Sequence, residues 1–339
     1  MLPKDYREEL RERLLSFLWR QWAQLGLASA QVKTRDDWVI DPEALLLLTG
    51  TLGRWDPRLF DEAIDWLVKN ARFFNLPRLK SLSKRHSFGS QAVSFAVTQV
   101  AGGTDSRLHW RLPTPEDVTE VGPLFFGSDG KPMPAYGESD ATFARFGYAR
   151  GRLELRGLSQ RFNPVMPETS LLRLRSLLGV SARAEILLYL FTHKASHPSG
   201  IARETGFSQK TIQDALVDMT ASGVIHVAKL ESRMKTYFVL EKDRAPFLYM
   251  PEHPPRWVTW PPLFRSLEYL WLELSKQWTE PMDPLLLSSQ LRTLMKGIRP
   301  GIESAGFGEL LTSGDLHSGE TYTQVFVEDT ERLLAALRA

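Results

Sequence analysis

Cysteine is absent from the 339 residues of this chain. Its absence excludes disulfide bonds and metal sites built from thiolates, and it suits a reducing compartment. The chain also has no run of about 18 uncharged apolar residues, the minimum for a helix that spans a membrane. Its opening segment, MLPKDYREELRERLL, is too charged for a signal peptide. We therefore expect a soluble cytoplasmic protein with no membrane partner.

Recognisable catalytic signatures are missing as well. The segment 126–131 lacks the glycine spacing of a phosphate-binding loop, and a turn is the better interpretation. The segment 88–90 is not followed by the paired aspartates that hold magnesium in nucleotidyltransferases. His193 and His197 have a spacing that binds zinc from one helical face, but no third ligand is evident. We therefore predict that the protein is not an enzyme and has no cofactor and no bound metal.

The composition is that of a globular protein, with 43% hydrophobic and 24% charged residues. Its length leaves room for two or three domains. The net charge of +2 is unevenly distributed, because residues 171–242 hold ten Lys and Arg against six Asp and Glu. Residues 243–339 hold nine against thirteen. This asymmetry fits a middle region that faces a nucleic acid.

The segment 199–240 begins with the pattern of two short helices. Residues 201–205 predict a helix that ends at Gly206, a residue that takes a positive φ without penalty. Ser208 is suited to cap the next helix, 208–222, because its hydroxyl can accept a backbone N–H. Four apolar residues of that helix recur at helical spacing and must face a core: Ile212, Ala215, Leu216 and Met219.

A β-hairpin is predicted next, with strands 224–228 and 236–240 around a polar tip. Further residues stand in order across residues 180–242: Arg183, Ile186, Leu187, Ile201, Ala202, Phe207, Thr211, Ser222, Gly223, Val224, Ile225, Arg233 and Tyr237. Together they resemble the winged-helix regulators of the ArsR and MarR type. The resemblance implies that helix 208–222 reads DNA and that residues 224–240 form a wing. The cysteine box of the metal sensors is absent, so sensing of soft metals is not implied.

The outward face of helix 208–222 provides the candidate DNA-binding residues. Glutamine and lysine read adenine and guanine edges in a major groove, whereas hydroxyl groups hold backbone phosphates. Cations at the tip of the hairpin contact phosphates or enter a minor groove. The resulting set is Ser208, Gln209, Lys210, Thr211, Gln213, Asp214, Arg233 and Lys235.

A second basic segment runs from Lys69 to Arg85 and holds six Lys and Arg but no acid. It follows two predicted helices, which begin at Asp41-Pro42 and Asp56-Pro57. A solvated face is one interpretation, and a degenerate helix-turn-helix is the other. In either form the segment can reach phosphates. The secondary phosphate-contact candidates are Arg72, Arg78, Lys80, Lys84 and Arg85.

These patterns predict a mainly α fold with small β (α+β), in which helical domains flank the winged helix. The four predicted regions are a helical N-terminal domain (1–101), a Gly- and Pro-rich connecting region (102–170), the winged-helix domain (171–245) and a helical C-terminal domain (246–339). The connecting region is expected to be a long connection or a loosely structured insertion. Helices at 263–278 and 285–299 are more apolar than the small winged helix needs, which favours a homodimer through the C-terminal domain.

We therefore predict a sequence-specific, double-stranded DNA-binding transcriptional regulator, a repressor, that acts as a homodimer. Two alternatives stay open. The first is an antitoxin or an adaptor of a defence system, with a protein partner and autoregulatory DNA binding. The second is a nucleic-acid-processing enzyme whose active site lies unrecognised in residues 86–170.

Overall fold

The computed structural model describes residues 6–27, 37–104, 120–229, 235–244, 247, 255–276, 283–312 and 319–338. Helices dominate these residues, and the strands form two small two-stranded sheets. This confirms the prediction of a mainly α fold with a small β component. No helix in the described ranges is long and apolar enough to cross a membrane.

The helices are, in chain order, α1 (Tyr6–Gln24), α2 (Pro42–Leu52), α3 (Pro57–Asn70), α4 (Leu76–His86), α5 (Gln91–Thr104), α6 (Ala141–Arg145), α7 (Ser170–Leu178), α8 (Ala182–Thr192), α9 (Pro198–Thr205), α10 (Gln209–Ala221), α11 (Trp260–Ser275), α12 (Pro284–Ser304) and α13 (Tyr322–Ala336). The strands are β1 (Gly122–Pro123), parallel to β2 (Tyr148–Ala149), and β3 (His226–Lys229), antiparallel to β4 (Lys235–Phe238).

Aspartate–proline pairs begin the second and third helices, as their sequence predicts. The Asp41 side chain accepts a hydrogen bond from the Ala44 amide at 3.0 Å, and Asp56 accepts one from the Leu59 amide at 3.0 Å. In both helices proline occupies the first turn, where an amide proton would lack a partner. These local signals fix the position of α2, and with it the Asp41 carboxylate used below.

A first hydrophobic core joins the two ends of the chain. The ring of Phe17 in α1 lies 6.1 Å from that of Trp260 and 6.0 Å from that of Phe264, both in α11. Residues from α1 to α5 and from α11 to α13 belong to this one core. The N-terminal region (1–101) and the C-terminal region (246–339), which were predicted as separate domains, therefore contribute to one common core.

The predicted connecting region also contributes to this core within residues 120–170. Leu124, Phe143, Phe146 and Phe162 are buried in it. These four side chains therefore anchor the otherwise mostly irregular segment 120–170 to the first core. Residues 105–119 lie outside the described ranges.

Most apolar residues of α11 and α12 face inward. The buried residues of this group include Leu263, Leu267, Leu270, Leu291 and Ile298. These are the residues whose spacing favoured a dimer surface. Because the chain itself covers them, the apolar excess that motivated the dimer is largely absent.

A second, smaller core lies between α7, α8, α9, α10 and the β3–β4 hairpin. Leu187, Ile201, Leu216 and Tyr237 are among its buried residues. We call residues 181–240 the hairpin unit.

Candidate nucleic-acid interface

The elements of the hairpin unit follow the order predicted from the sequence. Helix α9 ends at Thr205, and α10 begins at Gln209. The hairpin pairs His226 with Phe238 and Lys229 with Lys235, so its strands are displaced by one or two residues from their predicted limits. Ser196 forms an antiparallel bridge to Tyr237, with N···O distances of 3.0 and 2.8 Å in the two directions. This bridge ties the hairpin to the loop between α8 and α9.

The turn between α9 and α10 depends on Gly206 and Ser208. Gly206 has a φ of +81°, and its amide donates to the Ala202 carbonyl at 3.2 Å. A Cβ at Gly206 would lie 2.5 Å from the Leu82 side chain of α4, so both backbone conformation and space require glycine. The Ser208 hydroxyl accepts from the Thr211 amide at 3.1 Å, which confirms the predicted cap.

The orientation of α10 agrees with its apolar stripe. Ile212, Leu216 and Met219 are buried, whereas Ala215 is half-buried. The opposite face is therefore turned to solvent. The predicted residues exposed there are Ser208, Gln209, Lys210, Thr211, Gln213 and Asp214.

Val217 is an exposed residue of α10 that was not among the sequence candidates. The side chain of Val217 is 65% exposed, although it is apolar. It stands four residues after Gln213 and eight after Gln209, so the three share one face of the helix. The spacing of these three residues is visible in the sequence, but Val217 lies outside the apolar stripe that the sequence predicts for the buried face.

The predicted wing residues are only partly placed. Lys235 begins β4 and is exposed, and its carbonyl lies 3.0 Å from Nδ1 of His197. Arg233 lies outside the described residues. The ring of His193 stacks on Tyr189, with centroids 3.9 Å apart. The two histidines therefore contact different groups, and no group of three or more His, Asp or Glu in the described ranges could hold a metal ion.

The outward surface of α9 and α10 has little positive charge. Lys210 is opposed by Asp214 and Asp218 on α10, and Arg203 by Glu204 on α9. Asp218 pairs with Arg183 of α8 at 2.7 Å. Any anion that approaches this face must therefore find additional cations on neighbouring elements.

Scans against models of protein families, curated proteins and solved structures found no match to this chain.

The secondary basic candidates have different environments. Arg72 and Lys84 are exposed, and Lys80 is half-buried with its ammonium 5.5 Å from the Phe95 ring. Arg78 is only 2% exposed, so its predicted role as a phosphate contact is wrong. Arg85 is exposed but donates to the carbonyls of Ala202 and Phe207 at 2.9 and 3.1 Å.

Arg78 belongs to a buried ionic cluster between the two cores. It pairs with Asp41 at 2.5 Å and with Glu43 at 2.7 Å. Arg175 of α7 pairs with Glu43 at 2.7 Å and with Glu185 of α8 at 2.5 Å. We call these five residues the ionic cluster. It joins α2 and α4 of the first core to α7 and α8 beside the second.

The charges in this cluster stabilise one another. Burial alone lowers the pKa of Arg78, but Asp41 and Glu43 outweigh it and raise that pKa above its ordinary value. Burial likewise opposes the charge of Arg175, and Glu185 and Glu43 raise its pKa. Burial raises the pKa of Asp41, but the guanidinium of Arg78 more than reverses this and leaves it lowered. Asp41, Arg78 and Arg175 therefore remain charged in the folded protein.

A cavity beside α3 is lined by several carboxylates, the kind of group that can act in catalysis. It has a volume of about 150 Å³ and is lined in part by Asp61, Glu62 and Asp65. Asp65 accepts from the amides of Gly157 and Ser159 at 2.7 and 2.8 Å. Asp61 pairs with Arg150 at 2.7 Å, and Glu62 with Arg58 at 3.1 Å. Asp61 and Asp65 therefore hold the segment after β2 on α3.

The predicted turn at 126–131 is confirmed. The Gly127 amide donates to the Lys131 carbonyl at 2.8 Å, and the Gly130 amide donates to the Gly127 carbonyl at 3.0 Å. No helix follows directly, so the segment has no phosphate-binding geometry.

Proposed function

We propose that the hairpin unit is a winged helix and that it binds double-stranded DNA in a sequence-specific way. The observation that carries this proposal is the division of α10 into a buried face and an exposed face. The exposed face presents Gln209, Gln213 and Val217 along one line of the helix. A helix with this arrangement fits the major groove of B-form DNA, which admits one α-helix.

The side chains on this line suit base edges. Glutamine can make two hydrogen bonds with adenine, one with the N6 amino group of the base and one with its N7 atom. The two methyl groups of Val217 suit the methyl group of thymine, which also projects into the major groove. Adenine and thymine are therefore the bases that this face should select. Asp214, which follows Gln213 in the sequence, can accept a hydrogen bond from cytosine N4 and disfavours a base that presents an acceptor there.

The remaining candidates suit the DNA backbone. Ser208 and Thr211 expose hydroxyl groups, which are 2.8 Å apart and already share one hydrogen bond. A phosphate can accept from either group in place of that bond. Lys235 at the start of β4, with Arg233 before it in sequence, provides positive charge on the hairpin. Backbone contacts of this kind add affinity but no sequence preference.

The biological role that we propose is transcriptional regulation, as a repressor, and it rests on the resemblance to winged-helix regulators. One α10 covers a single short half-site, so a homodimer would double the footprint. The exposed large apolar residues of α11 and α12 are Tyr269, Leu272, Leu285 and Leu286. Sedimentation at micromolar concentration tests this pairing. A monomer that keeps full DNA affinity would contradict it.

The test of the proposed function is selection of bound duplexes from a random pool by the full chain. We expect enrichment of one motif that contains A·T pairs. Binding to every duplex without enrichment would indicate backbone contact alone. No binding to any duplex would contradict the proposal and favour an adaptor role through a protein partner. Cleavage or modification of the pool would favour the nucleic-acid-processing enzyme.

A further inference from the structure

The chain contains a long stretch without acids that lies next to the hairpin unit. Residues 66–104 contain no Asp or Glu but six Lys and Arg. Most of this positive charge is on α4, which carries Arg78, Lys80, Lys84 and Arg85. Arg78 is neutralised in the ionic cluster, so the other three determine the charge that α4 shows to its surroundings.

One face of α4 lies against the turn between α9 and α10. Arg78, Ser81 and Arg85 occupy this face at spacings of three and four residues. Arg78 donates to the Thr205 carbonyl at 2.7 Å, and Ser81 to the Gly206 carbonyl at 3.0 Å.

The last turn of α4 therefore ends beside the first turn of α10. The guanidinium of Arg85 donates to the Phe207 carbonyl at 3.1 Å, and Phe207 immediately precedes the cap residue Ser208. Lys84 is the neighbour of Arg85 in the same turn and is exposed.

The net negative charge of α9 and α10 favours cations that neighbouring elements supply. These two helices carry two cations against three carboxylates. A DNA duplex has one negative charge for about every 1.7 Å of its axis, and its binding is driven by cations that neutralise phosphates. A DNA-facing surface centred on α10 therefore needs cations from outside these helices. The hairpin supplies Lys235, and α4, which has no acid, lies against the turn between the two helices.

We propose that the last turn of α4 is part of the DNA-binding surface, with Lys84 in contact with a backbone phosphate beside the groove that α10 reads. Arg85 ties the last turn of α4, which carries Lys84, to the turn that precedes α10. This inference rests on the proposed function. It adds a backbone contact from the first core, outside the hairpin unit, to the same duplex.

The experiment compares Lys84→Gln with the wild-type full chain on a duplex enriched by the wild type. Affinity is measured by fluorescence anisotropy over a range of salt concentrations. We expect the slope of log affinity against log salt to fall by about one, because one phosphate contact is lost. The loss of affinity should be the same on a random duplex, since phosphates carry no sequence information. Lys84→Arg should restore the slope.

The matched control is Lys296→Gln, which removes an exposed lysine from α12 in the acid-rich C-terminal part of the chain. Its slope should equal that of the wild type. An unchanged slope in Lys84→Gln, with wild-type binding intact, would overturn this inference and leave the proposed function standing. An equal fall in both variants would also overturn it, because the effect would be one of total charge. Failure of the wild-type chain to bind any duplex would overturn both.

Discussion

Arg175 is the residue that connects the most elements of the buried ionic cluster. Its guanidinium is in contact with Glu43 of α2, Glu185 of α8 and the backbone carbonyl of Phe73. Its side chain is fully buried. The buried guanidinium is stable only because the carboxylates around it are its partners. The buried carboxylates likewise depend on the guanidinium.

Replacement of Arg175 by methionine should destabilise the protein strongly. The variant leaves Glu185 buried without its guanidinium partner, and the loss of one member of a buried pair costs about 3–5 kcal/mol. Urea unfolding followed by circular dichroism measures the free energy. The control is Arg173→Met on the same helix, where the side chain is partly exposed and a change of about 0.5 kcal/mol is expected. Similar losses in the two variants would show that the cluster adds little to stability.

His86 should make stability depend on pH. Burial, followed by the nearby charge of Arg85, lowers the pKa of this imidazole from 6.5 to about 4. The unfolded chain then binds a proton between these values that the folded protein does not bind. The contribution of neutral His86 to the free energy of unfolding is therefore fully present above pH 6.5, and it is lost as the pH falls toward 4.

The measurement for His86 is urea unfolding at pH 7 and at pH 5. The wild type should lose stability at the lower pH, and His86→Gln, which cannot titrate, should lose less. An equal loss in both proteins would show that other groups cause the acid sensitivity.

Among the elements, α4 determines how the turn of the hairpin unit is held. Gly206 approaches Leu82 so closely that a methyl group fits only if the Leu82 side chain moves, and its φ is +81°. Gly223 also has a positive φ, +76°, but a Cβ there would meet nothing within 4 Å. Both positions therefore require a left-handed backbone conformation, but only Gly206 is also restricted by packing.

Gly206→Ala should destabilise the protein more than Gly223→Ala does. Each alanine has to adopt a left-handed conformation, which costs roughly 1–2 kcal/mol. Only Gly206→Ala also forces Leu82 to move, and overpacking of this kind costs about 1–3 kcal/mol more. Thermal unfolding of the two variants gives the comparison. Equal melting temperatures would mean that α4 is not packed on the turn as the structure places it.

The same elements show how far the sequence can be interpreted. The caps at Asp41, Asp56 and Ser208 and the stripe Ile212–Met219 could be predicted, because each depends on residues within one or two turns of helix. The role of α4 could not be predicted, since its partners lie 117 to 127 positions away along the chain. A run of basic residues looks the same whether its members face solvent or a buried carboxylate. Only the fold separates Arg78 from Lys84.

At the scale of the whole molecule, the first core makes the two ends of the chain interdependent. Phe264 is 1% exposed and packs against Phe17 near the start of the chain. Loss of this ring should cost about 3–5 kcal/mol. Because the core is shared, the loss should open α1 and α2 as well as α11.

Hydrogen exchange of the folded protein tests this interdependence. In Phe264→Ala the amides of α1, α2 and α11 should all exchange faster than in the wild type. Leu272→Ala, at a 39% exposed position of the same helix, should leave all three unchanged. Faster exchange that is confined to α11 would indicate that the N-terminal and C-terminal regions unfold separately, as two domains would.

The function itself depends on whether α10 reads base pairs, and the most direct measurement is a parallel selection of random duplexes. The full-length wild type, Gln213→Ala and Lys235→Gln are each used to enrich bound duplexes, which are then sequenced. We predict that the wild type and Lys235→Gln enrich the same motif, the latter with weaker binding, because Lys235 meets the backbone. Gln213→Ala should lose the preference at one or two adjacent positions only. An unaltered motif in Gln213→Ala, or no motif for the wild type, would contradict the account.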